Sequence, residues 1–184
     1  MGCFVTVRER RGHRRLRGCI GTLPPLLLLP HHKERPRSEA ICMLAARMAI
    51  ETVFRDSRFE GKSRLVREQW ASSSFLDVEV SVLSPLQDID SNVDKIIVGR
   101  HGVYVTSDVD ASLGGAVYLP QVANEQGWTT PSQLMQNLVE NKWDVRVEHA
   151  DSEPAEWTQP RWHAKHGFHW FTFDAFAFVE RPND

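Results

Sequence analysis

Apolar and polar residues alternate most regularly between Phe75 and Leu83, where Leu76, Val78, Val80 and Val82 are separated by Asp77, Glu79 and Ser81. A period of two puts the aliphatic side chains on one side of an extended chain, so this segment is predicted as a half-buried β-strand. Near the N-terminus, Phe4 to Val7 is β-prone, Gly12-His13 supplies a turn, and Leu16 to Leu23 supplies a return strand. Together they predict a β-hairpin whose arginines line its exposed face and tip. The prolines of "PPLLLLPHHKERPR" exclude regular structure throughout that stretch and mark a loop. The spacing then changes. Ile41, Leu44, Ala45, Met48, Ala49 and Thr52 keep the i, i+3, i+4, i+7 pattern of a helix with one buried stripe, with Ser38 as its N-cap and an end near Arg55. "RDSRFEGKSRLVREQW" predicts a polar turn with one short helix.

The second half repeats this order. "SPLQDIDSNVDKI" is an acidic connection, "IIVGRHGVYVTS" predicts a hairpin about Gly99–Gly102, and "GGAVYLP" predicts a strand ended by Pro120. Thr130, Pro131 and Gln133 form a capping-box pattern for a helix to about Lys142, with Leu134, Met135, Leu138 and Val139 as its buried stripe. The aromatic run 168–178, "FHWFTFDAFAF", predicts a terminal strand. Hairpin, helix and strand follow one another twice, which suggests a duplicated supersecondary unit and an α+β fold with mostly antiparallel sheets. A chain of 184 residues fits one compact domain spanning 1–184.

Composition narrows the class. With 41% hydrophobic and 25% charged residues the chain has the balance of a soluble globular protein. Its longest purely apolar run, Ala40–Ala46, is far short of the ~20 residues that cross a bilayer, so no membrane association is expected. No secretory signal opens the chain, and three cysteines without a CxxC pair argue against a disulfide framework. An intracellular, reducing compartment follows as the expectation. The net charge of -2 hides an asymmetry: residues 1–67 carry 15 Lys/Arg against 6 Asp/Glu, and the remainder 7 against 18. Mutual neutralisation of the two halves accounts for this better than an RNA partner, because the arginine-rich stretch 8–17 has no interleaved aromatic residue.

Candidate chemistry centres on Cys19 in "RRLRGCIGTL". A cysteine nucleophile needs its thiolate favoured, which arginines can do, together with a base brought near in space. The alternative is a small buried residue between Gly18 and Gly21, where backbones pass closely. His163, His166 and His169 have metal-like spacing, but a turn at "AKHG" scatters them about a hairpin, and no cysteine or carboxylate cluster completes a ligand set. "VGRHG" (98–102) is neither a dinucleotide nor a Walker loop. Asp88/Asp90 and Asp108/Asp110 fall in acidic loops and are expected to be solvated. No metal and no cofactor is expected.

Five blocks in order, "FVTVRERRGHRRLRGCIGTL", "AARMAIETVFRDSRF", "VEVSVLSPLQDI", "VGRHGVYV" and "YLPQVANEQGW", resemble the AMMECR domain family, known in bacteria and archaea as protein A of the AmmeMemoRadiSam system. The resemblance covers roughly residues 2 to 143. It implies an α+β fold with a duplicated β-α-β-β unit and a functional RGCIGT segment facing a cleft. It also implies an association with Memo-like and radical-SAM proteins, and a regulatory role in nucleus and cytoplasm for eukaryotic members. Carried onto this chain, the motif positions are Arg17, Gly18, Cys19, Gly21 and Thr22. Asp56, Arg58 and Phe59 match a D-x-R-F element, and His101, Gly102, Pro120 and Gln121 match two later ones. Arg17 and Arg58 are candidates to hold an anionic group through their forked donors. The resulting expectation is a binding or regulatory module that takes a protein partner or small anionic ligand. The alternatives are a Cys19-dependent enzyme of a modification pathway and, less favoured, nucleic-acid binding through the arginine hairpin. Three features depart from the family pattern: its helix ahead of the first strand, a shorter connection in place of "PPLLLLPHHKERPR", and a K-x-G element where this chain has "ENKW".

Overall fold

A computed structural model describes residues 2–10, 15–23, 37–59, 76–90, 92–108, 114–143 and 167–179. The fold is mixed α+β, with two four-stranded sheets and three α-helices among these residues. The chain divides into two compact units, residues 1–85 with 176–184, and residues 86–175.

In the first unit, β1 (Gly2–Glu9) pairs antiparallel with β2 (Leu16–Thr22) on one side and β3 (Leu76–Leu83) on the other. The predicted hairpin and alternating strand are therefore both present; the Gly12-His13 turn and the 24–36 loop lie outside the described residues. Alternation along β1 sends Cys3, Val5 and Val7 to one face, where they are 0%, 0% and 1% exposed. That face is covered by α1 (Arg37–Phe54), which starts one residue ahead of the expected cap. Met48 packs on Cys3 and Val5, with Ile41, Leu44, Ala45 and Ala49 around them, and Val53 packs on Val7 and Leu76. Burial of each such aliphatic side chain contributes about 1.5–3 kcal/mol, well above what an exposed ion pair supplies. Burial also pushes the Cys3 thiol up to about 11.

In the second unit, β5 (Gly102–Ser107) pairs antiparallel with β6 (Ala116–Tyr118) and β7 (Phe168–Phe173), and β7 also pairs with β4 (Gln87–Asp88). Two helices follow β6: α2 (Pro120–Gln126) and α3 (Pro131–Trp143). The predicted stripe Leu134, Met135, Leu138 and Val139 is buried against Val103, Val105, Phe168 and Trp170. The predicted capping box is formed: Gln133 N–H donates to Thr130 Oγ1 at 3.3 Å, and Thr130 N–H donates back to Gln133 Oε1 at 3.2 Å.

Three elements differ from the sequence expectation. Pro120 opens α2 rather than simply ending a strand, since a proline ring suits the first helical position and that position needs no N–H donor. The segment before Gly102 is not a strand: after the 3₁₀ turn Val93–Lys95, Ile97 C=O accepts from both Arg100 and His101 N–H at 3.1 and 2.9 Å. The aromatic run is two strands broken at Asp174, β7 and β8 (Ala175–Val179), and they belong to different sheets.

The sheet orders are β2-β1-β3-β8 and β4-β7-β5-β6. Read from the hairpins, β2-β1-β3-β8 matches β6-β5-β7-β4, so the duplicated order expected from the sequence is realised. In each sheet the fourth strand is the segment that follows the third strand of the other.

At Gly18, α1 comes close against β2. A Cβ built there would lie 2.6 Å from the Thr52 carbonyl oxygen and 2.7 Å from Thr52 Cγ2. Because one of these atoms belongs to helix backbone, the helix itself must shift. Gly18→Ala is therefore expected to lower stability by about 1–3 kcal/mol in urea unfolding, and an unchanged midpoint would show that α1 yields freely.

Candidate functional site

Strand β2 carries the RGCIGT residues at one end of its sheet. An edge strand leaves alternate backbone groups pointing away from its neighbour, and these must find partners. Cys19 is such a residue. Its N–H donates to Asp56 Oδ2 at 2.9 Å, and its carbonyl accepts from Arg58 Nη2 at 2.7 Å. Arg58 also grips Asp56, with Nε at 2.9 Å from Oδ1 and Nη2 at 2.6 Å from Oδ2. The fork of Arg58 and the carboxylate of Asp56 thus stand where a further strand would place its N–H and C=O. Ser57–Phe59, a 3₁₀ turn two residues past α1, delivers them. The guanidinium also lies 5.5 Å over the Phe59 ring.

Asp56 is 8% exposed. Its burial works to raise the carboxyl pKa, but hydrogen bonds from Arg58 and from Cys19 N–H, together with the Arg58 charge, outweigh this, and the net shift is downward. Arg58 is shifted upward, chiefly by its hydrogen bond to Asp56. Both stay charged across the physiological range, so the pair is a permanent clamp.

Helix α1 adds a second hold on β2. Thr52, 1% exposed, accepts from Ile20 N–H at 3.1 Å and donates to Val5 C=O at 3.1 Å, inserting its hydroxyl at the Val5–Ile20 pair. A hydroxyl able both to donate and to accept is needed there. On the sequence, Thr52 is only one member of the helix stripe; this role is not visible in its spacing.

The side chain of Cys19 points away from α1. Thr6 pairs with Cys19 on one side and Glu79 on the other, which places all three on the sheet face opposite Val5 and Val7. The Thr6 hydroxyl donates to Cys19 Sγ at 3.3 Å, and Ser81 Oγ donates to Glu79 Oε1 at 3.4 Å. Thr6 and Ser81 are 4% and 1% exposed, while Cys19 is half-buried. Hairpin register brings Thr6 beside the motif across 13 residues, and β3 brings Glu79 and Ser81 there across 60 or more, which no local pattern encodes.

Arg17 pairs with Glu9, and its Nε is buried without a hydrogen-bond partner. Arg17 and Arg58 therefore each hold a carboxylate of this chain. Gly21 lies under the Phe4 ring, which occupies the space a Cβ would need, and Thr22 Oγ1 donates to Leu23 C=O at 3.4 Å. His101, Gly102, Pro120 and Gln121 are in the second unit: His101 Nδ1 accepts from Ile97 N–H at 3.1 Å, Gly102 pairs with Phe173, and Pro120 and Gln121 open α2. His169 is exposed and lies 2.6 Å from Asp108, whereas His163, His166 and Asp110 fall outside the described residues. Asp88 accepts from Asp90 N–H at 2.8 Å, a local turn contact. Among the described residues no group of three or more His, Cys, Asp or Glu is arranged to hold a metal, and no helix is long and apolar enough to cross a membrane.

Removing the clamp has a defined cost. Asp56→Ala leaves Cys19 N–H without its acceptor and Arg58 without its carboxylate, and is expected to lower stability by about 1–3 kcal/mol. The depressed carboxyl pKa also fixes a sign: its contribution is fully present above the unfolded value of ~3.9 and is lost as pH falls through the lower folded value. Urea titrations of wild-type and Asp56→Asn chains between about pH 3 and pH 7 check this; the difference in stability should be constant above about pH 5 and shrink below pH 4.

Residues 1–159 match the AMMECR1 family model. The chain is 32% identical over 130 residues to an uncharacterized protein of Arabidopsis thaliana, covering 68% of this chain and 51% of that protein. It is also 32% identical over 143 residues to a protein of Pyrobaculum arsenaticum, covering 75% of this chain and 57% of that one. It thus spans little more than half the length of these curated relatives. Among solved structures, it resembles an uncharacterized protein from Pyrococcus horikoshii, with a TM-score of 0.65 and 26% identity over 98% of this chain and 74% of that chain. By the extent of the family match and these identities, the chain belongs to the AMMECR1 family.

Proposed function

We propose that this chain is a binding module whose recognition element is the Arg17–Thr22 strand, with half-buried Cys19 on the face that meets the ligand and buried Thr6 holding its sulfur from behind. The carrying observation is the double hold on Cys19: both its backbone groups are fixed by Asp56 and Arg58, while its side chain points away from the covering helix. A recognition surface held rigid in advance loses less entropy on binding. Since Arg17 and Arg58 already carry carboxylate partners, a protein segment suits this surface better than a small anion. Proteins retained by the immobilised wild-type chain and by a Cys19→Ala, Thr6→Val double variant with an unchanged thermal midpoint test the reading. Capture should fall about tenfold, the effect of roughly 1.4 kcal/mol; equal capture by both removes this face from the binding site.

A second reading makes Cys19 a reactive thiol, favoured by the Thr6 hydroxyl, which donates to Sγ at 3.3 Å and orients it. It predicts that iodoacetamide labels half-buried Cys19 faster at pH 7 than exposed Cys42, and that Thr6→Val slows Cys19 alone. Labelling that follows exposure, Cys42 first and Thr6→Val without effect, sinks this reading.

A further inference from the structure

The fold treats its sheet edges unequally. At one end of the first sheet, β2 has its outward Cys19 groups taken by Asp56 and Arg58. In the second sheet the outer strands are β4 and β6, only two and three residues long. Short strands and covered backbone are the usual protections against unwanted pairing. Among the described residues the fourth edge has neither. β8 is five residues long, is the outer strand beyond β3, and reads Ala-Phe-Ala-Phe-Val without a charge. Phe176, Phe178 and Val179 are 62%, 64% and 45% exposed.

We propose that β8 is a self-association edge, pairing antiparallel with β8 of a second copy of this chain about a two-fold axis through Ala177. The sequence is matched to this occupant. Two identical antiparallel strands related by an axis perpendicular to the sheet oppose residues of equal parity. Centring on Ala177 sets Phe176 against Phe178 of the second copy, and the reverse, giving two cross-strand aromatic pairs on one face. Ala175 opposes Val179, so all five pairs are apolar and none sets like charges together. In sequence Asp174 and Glu180 flank the strand, and their charges limit pairing to these five residues and hinder growth into longer assemblies. So short a contact buries less than a standard interface, which makes the dimer weak and concentration-dependent.

Sedimentation velocity of the whole chain, from about 1 µM to about 1 mM, should show a monomer passing to a dimer without larger species. Phe178→Lys, at an exposed position that leaves the cores intact, should hold the chain monomeric with unchanged far-UV circular dichroism. The register has its own test in a Cys42→Ser background, which removes the exposed thiol. Ala177→Cys should form a disulfide-linked dimer on mild oxidation, because residue 177 faces its own copy, while Phe176→Cys should crosslink much less. A chain that stays monomeric throughout overturns the proposal. So does a dimer insensitive to Phe178→Lys, or one that Phe176→Cys traps as readily as Ala177→Cys; these outcomes place the contact elsewhere or in another register.

Discussion

The carboxylate of Asp56 closes the outer edge of the first sheet, and the motif strand depends on it. It takes the Cys19 N–H, while Arg58, held by the same carboxylate, supplies the donor for the Cys19 carbonyl. Without it, an edge strand rich in glycine would have only β1 to define its register, and glycines weaken strand order. With it, β2 is fixed along both edges, and Thr52 sets α1 against the hairpin at Val5 and Ile20. The close approach at Gly18 follows from the same arrangement, since a helix whose hydroxyl must reach between two strands cannot stand off from them. The D-x-R-F element and the RGCIGT element are therefore one structural device, separated by 37 residues in sequence.

Much of the fold is legible in the sequence because local chemistry and final environment agree. Leu76, Val78, Val80 and Val82 alternate in a strand with one covered face, and Thr130 with Gln133 makes the cap that its spacing describes. What escapes is decided by partners distant in the chain. The alternation of 168–178 continues through Asp174, yet sheet membership changes there, and only pairing with β3 or β5 distinguishes the two halves. Ile96 and Ile97 have strand-forming side chains, but Ile97 C=O closes a turn instead. Pro120 signals a strand's end and a helix's start equally well, and the sequence expectation used only the first meaning.

The candidate site divides along the same line. The family resemblance names Gly18, Gly21, Asp56 and Arg58 together with Cys19, and geometry gives each of them a structural role. Gly18 and Gly21 are demanded by a helix and by the Phe4 ring, Asp56 and Arg58 by backbone groups of an edge strand. Arg17, expected beside Arg58 as an anion holder, is engaged by Glu9. Thr6 and Glu79 read in the sequence only as strand positions, because nothing in a β-strand's composition states which residue will face it across the sheet.

Of Arg10, Arg17 and Arg58, only Arg10 takes a carboxylate from beyond the first 67 residues and so offsets their basic excess. Arg17 meets Glu9, Arg58 meets Asp56, and Arg10 reaches Asp77 at 2.8 Å and the Leu76 carbonyl at 2.9 Å. Arg10 and Asp77 lie on β1's extension and on β3, so the arginine-rich end of the hairpin is tied down by the acidic positions of the alternating strand. Opposite charges on neighbouring strands fix register as well as neutralising one another, since a one-residue slip would turn every pair to the wrong face. The same alternation of β3 that sends its aliphatic residues toward the helix thus supplies Asp77 to the arginines and Glu79 to the row containing Cys19. A strand with a plain apolar pattern is, on its polar side, what organises the charged and polar side chains of this unit.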